Sequence, residues 1–205
     1  MSEIIYNLPK LFYMKIFYKL LYLISTLFFK FAQTRRLSIG YNVRFKGFPN
    51  YFIVKNAQII IGNNTTINSS NYGYHANMHS KCKLIADRKD AIITIGDNCR
   101  IHGSCIHAYN SISIGNNCLI AANSQILDGN GHQLSFEEAI NRINTSDKGK
   151  PIVIEDNVWI GLNCIILGGS HIGKGSIISA NSVVKGDVPP NCIYGGNPAQ
   201  LIKQY

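Results

Sequence analysis

From Ile154 to Val184 an aliphatic residue returns at every sixth position, as Ile154, Ile160, Ile166, Ile172, Ile178 and Val184. Such a short period predicts stacked strand-and-corner units, none of which can bury a core alone: a parallel β-helix. Position one suits a β-branched side chain packed inside a narrow prism of strands. Position four reads Asn157, Asn163, Gly169, Gly175, Asn181 and Asp187, types that tolerate the left-handed backbone of a sharp corner. Position five reads Val158, Cys164, Ser170, Ser176, Ser182 and Val188, side chains small enough to lie under the next coil.

The same grammar appears upstream at Ile61, Ile95, Ile101, Ile114 and Ile120. The intervals from 61 to 95 and from 126 to 154 are not multiples of six, so each must hold an excursion from the prism, near 69–81 and 130–150. Loops on a rigid scaffold are where function concentrates. Within the second excursion Phe136–Ile143 reads as a short amphipathic helix. The organisation is therefore all-β: a helical segment over 1–36, the repeats over 37–190, and a C-terminal tail with a short helix over 191–205.

The segment from Leu8 to Ala32 is dominated by Leu, Ile, Phe and Tyr, with Lys15, Lys19 and Lys30 on one helical face. Its longest uncharged stretch, Leu20–Phe29, is too short to span a bilayer. Eight basic residues from Lys10 to Lys46, Arg44 included, face only Glu3, which predicts an interfacial helix on anionic lipid through residues 1–34. The competing reading is a helix that caps the open end of the prism or packs between subunits.

With 20 basic and 11 acidic residues the chain favours an anionic partner. No recognition helix or Cys/His finger spacing points to nucleic acid. Cys99, Cys105, Cys118 and Cys164 fall at position five and are expected to be dry core filler. Six thiols without a disulfide framework, and no cleavable signal, predict a cytoplasmic protein, with a peripheral place at the inner face of the plasma membrane if the helix binds lipid.

The string from Ile154-Glu-Asp-Asn-Val-Trp-Ile-Gly through Ser182-Val-Val-Lys-Gly-Asp-Val-Pro-Pro to Gly195-Gly-Asn-Pro-Ala resembles the hexapeptide-repeat acyltransferases, specifically their sugar O-acetyltransferase branch. The resemblance implies a left-handed helix, against the usual right-handed crossover rule. It also implies a homotrimer with active sites between prisms, acetyl-coenzyme A as donor, no metal, and a carbohydrate or lipid-linked oligosaccharide acceptor in bacterial surface polysaccharide assembly.

By the same resemblance His132, in Asp128-Gly-Asn-Gly-His132, is the general base that takes the acceptor proton, a task suited to imidazole. Asp128 would orient that ring or hold a sugar hydroxyl, and Asn130 would touch the acceptor. Trp159, Gly161, Ser179 and Ala180 would line the donor groove, with Lys185 and Lys203 on its phosphates. His102 and Tyr74 are acceptor-side candidates. Three other readings stay open: N-acetylation of an amino nucleotide-sugar, a zinc enzyme like the gamma-class carbonic anhydrases using His102 and His107, and a noncatalytic trimeric scaffold.

Overall fold

Each position-one residue of the Ile154–Val184 series is buried, none more than 2 % exposed, so the six-residue period is the period of the core. The computed structural model describes residues 2–205, with side chains from Phe12 onward. Three parallel stacks of short strands form a three-sided prism. Face 1 runs from Leu37–Ile39 through Gln58–Ile61, Ile92–Ile95, Ser111–Ile114, Ile152–Ile154 and His171–Ile172 to Asp187–Val188. Face 2 runs from Arg44–Lys46 through Thr66–Asn68, Arg100–His102, Leu119–Ile120, Trp159–Ile160 and Ile177–Ile178 to Cys192–Gly196. Face 3 stacks Asn50–Ile53, Lys83–Ala86, Cys105–Ala108, Gln125–Leu127, Ile165–Leu167 and Val183–Val184.

The corners have the left-handed backbone that position four requires: Asn157, Asn163 and Asn181 have φ of 61°, 55° and 60°, and Gly169 and Gly175 have 84° and 73°. Position five is selected for more than size. Cys99 donates its thiol to the Gly115 carbonyl, Cys118 to Glu155 and Cys164 to Ser179, while the hydroxyls of Ser124 and Ser176 donate to Gly161 and Pro189. In these five cases the acceptor is the position-two carbonyl of the following coil, whereas Ser170 and Ser182 donate to Leu167 and Ser179 of their own coil. A small donor therefore satisfies a buried backbone group that would otherwise carry a desolvation cost.

Two repeats are shorter than expected, and each shift has consequences. The Ile101 unit closes at Ile106, so Gly103 (φ 43°) takes the corner and fully buried Ser104 takes position five. Cys105 is displaced onto the face-3 strand and is only partly covered. Likewise Gly186 (φ 96°), not Asp187, turns the last corner, and Val188 pairs with Ile172 as a position-one residue.

The remaining elements sit at the ends and corners. Helix α1, Ser2–Phe31, covers the first coil: Phe29, 3 % exposed, stacks on Phe45 at 4.3 Å between centroids, and the Ser25 hydroxyl donates to the Phe45 carbonyl. This is the capping arrangement. The outer side of α1 nevertheless leaves Phe12, Phe17, Leu20, Leu23 and Phe28 exposed, and by length and composition alone Phe12–Phe31 is sufficient to cross a bilayer. At the other end no helix forms in 191–205. Ala199–Gln204 folds back antiparallel on Cys192–Gly196, because Gly195-Gly196-Asn197-Pro198 interrupts any helical run and permits a tight reversal. The 128–151 excursion contains a 3₁₀ turn, Ala139–Asn144, that buries none of its residues, so the expected amphipathic helix is absent there.

Candidate functional site

A cleft of about 860 Å³ runs along the outside of face 2, roofed at one end by the 69–81 loop. Strand register explains its make-up. Arg44, Thr66 and Arg100 form one outward column that continues into Leu119, Trp159 and Ile177, so the floor changes from cationic to apolar along the prism axis. A second column, two residues along each strand, holds Lys46, Asn68 and His102. Arg44 and Lys46, grouped by sequence with the lysines of the helix, belong to this cleft.

The roof is pinned on both sides. Asn71 closes the loop by accepting from Met78 N–H and donating to the Met78 carbonyl, and Tyr72 stacks on Tyr18 of α1 at 4.0 Å. Tyr74 hangs from this loop and stacks on the His102 ring at 4.4 Å.

His102 is held in one tautomer. The Ser70 N–H donates to Asn68 Oδ1, which turns the buried Asn68 amide so that Nδ2 donates to His102 Nδ1 at 3.1 Å. With Nδ1 accepting, Nε2 carries the proton. Burial, and then the charges of Lys46, Arg100 and His75, push the ring down to about 4, so it is a neutral hydrogen-bond donor near pH 7.

His132 has the opposite arrangement. It lies exposed on the excursion between face 3 and face 1, and its Nδ1 is 3.0 Å from the Thr145 carbonyl. A carbonyl only accepts, so Nδ1 carries the proton and Nε2 keeps a free lone pair. Thr145 is itself fixed by donating N–H and hydroxyl bonds to the Arg142 carbonyl and accepting from Gln133 N–H.

Asp128 does not orient His132. It is almost fully buried, and its carboxylate accepts from the N–H groups of Tyr109 at 2.6 Å and Asn110 at 2.8 Å, while burial raises its pKa. Its task is to anchor the excursion, because its carbonyl also accepts from Lys150 N–H. Asn130 is exposed beside His132, with its N–H donated to Asp147 Oδ2.

Trp159, Gly161, Ser179 and Ala180 all line the face-2 cleft, in which Trp159 is half exposed. Gly161 has a packing reason as well: a Cβ there would lie 2.6 Å from Ala180 N. Lys185 lies apart, on a smaller cleft of about 280 Å³ under the C-terminal hairpin. Lys203 is on that hairpin with its ammonium 4.3 Å from the Tyr205 ring centroid. His132 does not line the face-2 cleft. The zinc reading finds no frame, since a spacing of five residues puts His102 on face 2 and His107 on face 3, where His107 Nε2 lies 3.1 Å from Asp87 Oδ1. Among the described residues no group of three or more His, Cys, Asp or Glu could hold a metal ion.

Residues 151–186 match the bacterial transferase hexapeptide (six repeats), and 92–127 match the hexapeptide repeat of succinyl-transferase. A protein of Escherichia coli with the provisional name lipopolysaccharide biosynthesis O-acetyl transferase WbbJ is 32 % identical over 120 residues, 56 % of this chain and 61 % of its own. A 2,3,4,5-tetrahydropyridine-2,6-dicarboxylate N-acetyltransferase of Staphylococcus aureus is 48 % identical over 54 residues, 26 % of this chain and 23 % of its own. The chain thus spans between about a quarter and three fifths of these relatives. Among solved structures, galactoside acetyltransferase in complex with coenzyme A aligns with a TM-score of 0.53 at 28 % identity, over 82 % of this chain and 64 % of that one. The Bacillus cereus N-acyltransferase AntD, in complex with dTDP-4-amino-4,6-dideoxyglucose and coenzyme A, shares the fold with a TM-score of 0.62 at 21 % identity, over 82 % of each chain. The repeats, the three stacked faces and these matches together show a left-handed parallel β-helix of hexapeptide repeats, similar in its matched segments to the hexapeptide-repeat transferases.

Proposed function

We propose that the protein is an acetyl-coenzyme A-dependent O-acetyltransferase acting on a sugar hydroxyl, in the assembly of a bacterial surface polysaccharide. The observation that carries this reading is the His132 tautomer: Nδ1–H is committed to the Thr145 carbonyl, which leaves the Nε2 lone pair as the proton acceptor. In the reaction Nε2 takes the acceptor hydroxyl proton while that oxygen attacks the thioester carbonyl carbon. The C–S bond then breaks, and the departing coenzyme A thiolate receives the proton from the imidazolium. The pantetheine arm would lie against Gly161, Ser179 and Ala180 beside Trp159, where the wall is small and apolar.

His132 and the face-2 cleft lie on different sides of one prism, which supports a homotrimer in which each excursion reaches a neighbour's cleft. The exposed side chains of Leu134, Phe136, Ile140 and Ile143 on that excursion are the apolar surface such a contact would cover. The outward apolar side of α1, with Lys15, Lys19 and Lys30, supports attachment to anionic lipid at the cytoplasmic face of the membrane, the place where a lipid-linked acceptor would be met. The decisive test is thiol release from acetyl-coenzyme A with a panel of sugars and amino sugars, alongside light scattering and vesicle sedimentation. Release with hydroxyl acceptors by a trimer is expected. Acetylation confined to amines, or full turnover by a monomer, would refute it.

A further inference from the structure

We infer that the cationic end of the face-2 cleft binds a phosphate or diphosphate carried by the acceptor, so that the sugar is presented as a phosphate ester and not as free sugar. The inference rests on the acetyl-transfer reading and names the acceptor class for it. Arg44 and Arg100 stand two coils apart in one column, about 10 Å at the usual strand spacing, with Lys46 in the next column. Among the described residues none of the three has a carboxylate partner: the ion pairs there involve Arg88, His107 and His171, and no Asp or Glu lines the cleft. Three unpaired cations on one wall repel each other, and an anion with several acceptor oxygens removes that cost while taking charge-assisted hydrogen bonds. His102 adds a fixed Nε2–H donor, held by Asn68, in the same wall.

The position of the cluster assigns it to the acceptor. Trp159, Ser179 and Ala180, where the thioester arm would lie, are two to three coils beyond Arg100, and Lys185 lies at the far, C-terminal end. A donor running from Lys185 toward Trp159 leaves the Arg44–Arg100 end free. A sugar set on the apolar floor at Leu119 and Trp159 would then have its phosphate over the cations.

The test is calorimetric binding of inorganic pyrophosphate and of coenzyme A to the full chain and to Arg44→Gln and Arg100→Gln, with circular dichroism to verify the fold. Each variant is expected to lose about tenfold or more in pyrophosphate affinity, as for a hydrogen bond to a charged group, while coenzyme A affinity changes less than about twofold. Uridine diphosphate and farnesyl diphosphate as competitors separate a nucleotide-linked from a lipid-linked source. Unchanged pyrophosphate affinity in both variants overturns the inference, and so does a parallel loss of coenzyme A affinity, which would give the cluster to the donor. A free sugar acetylated as efficiently as its 1-phosphate overturns it while leaving the transferase reading intact. Pyrophosphate binding that depends on Arg44 and Arg100, without acetyl transfer to any sugar phosphate, keeps the anion site and rejects the transferase reading.

Discussion

Two histidines on this prism have opposite electronic roles, and neither role is set by the histidine. His132 stands on an exposed excursion, where a carbonyl takes its Nδ1 proton and leaves Nε2 basic. His102 stands in a roofed cleft, where an amide donates to Nδ1 and leaves Nε2 protonated. One is arranged to accept a proton and the other to donate a hydrogen bond, so His102 is a poor substitute for a lost His132 base. The partner on the second ring nitrogen decides the chemistry of the first.

The largest expected effect is at His132. His132→Ala should lower kcat by roughly 10²–10⁴, with little change in the KM for acetyl-coenzyme A, as for a group that acts mainly in the transition state. The steady-state rate of thiol release measures this. If His102→Ala costs more in kcat than His132→Ala, the two roles are reversed. His102→Ala should instead act mainly on the acceptor, reducing kcat/KM for it by about tenfold through loss of one hydrogen bond and of the Tyr74 stack.

Asn68→Asp sharpens the comparison. A carboxylate at 68 accepts from Nδ1–H, so the ring should change tautomer and its depressed pKa should rise, moving His102 toward the state of His132. Ring nitrogen-15 chemical shifts read this directly, and an unchanged His102 spectrum would show that Asn68 does not set the tautomer. The depressed pKa of wild-type His102 also has a sign for stability. The unfolded chain binds this proton more readily, so stability falls as pH drops from about 6.5 toward about 4, and His102→Ala should flatten that part of a melting-temperature profile.

Asp128→Asn tests the anchoring of the excursion. An amide cannot accept both backbone N–H groups as the carboxylate does, so a loss of about 1–3 kcal/mol in stability is expected from chemical unfolding. The variant should still bind pyrophosphate like wild type, because Asp128 is not in the cleft. The smallest effect concerns the thiols. Cys105 should be alkylated well before Cys99, Cys118 and Cys164 in the folded protein, as mass spectrometry of a time course would show.

The coils and their corners were legible in the sequence, because each rests on a local requirement repeated many times, whereas His132 was singled out by resemblance alone. The assignment of Cys105 to a dry slot and of Asp187 to a corner failed where a repeat dropped residues, since a strand shifted by one position presents its other side. Arg44, Lys46, Asn68 and Arg100 were missed as a group for the same reason: matched positions in successive coils here lie 22 and 34 residues apart, and only the register aligns them. Thr145 left no signal at all, because its backbone carbonyl is what His132 uses.

The six-residue rhythm by itself determined that strands stack in parallel around a buried column of Ile and Val, since no other arrangement buries position one while leaving Asn and Gly at every corner. Only the tertiary structure decided which outward side chains share a face, where α1 docks and which nitrogen of each histidine carries the proton. Those properties depend on contacts between distant coils, which a short period constrains in kind but not in register.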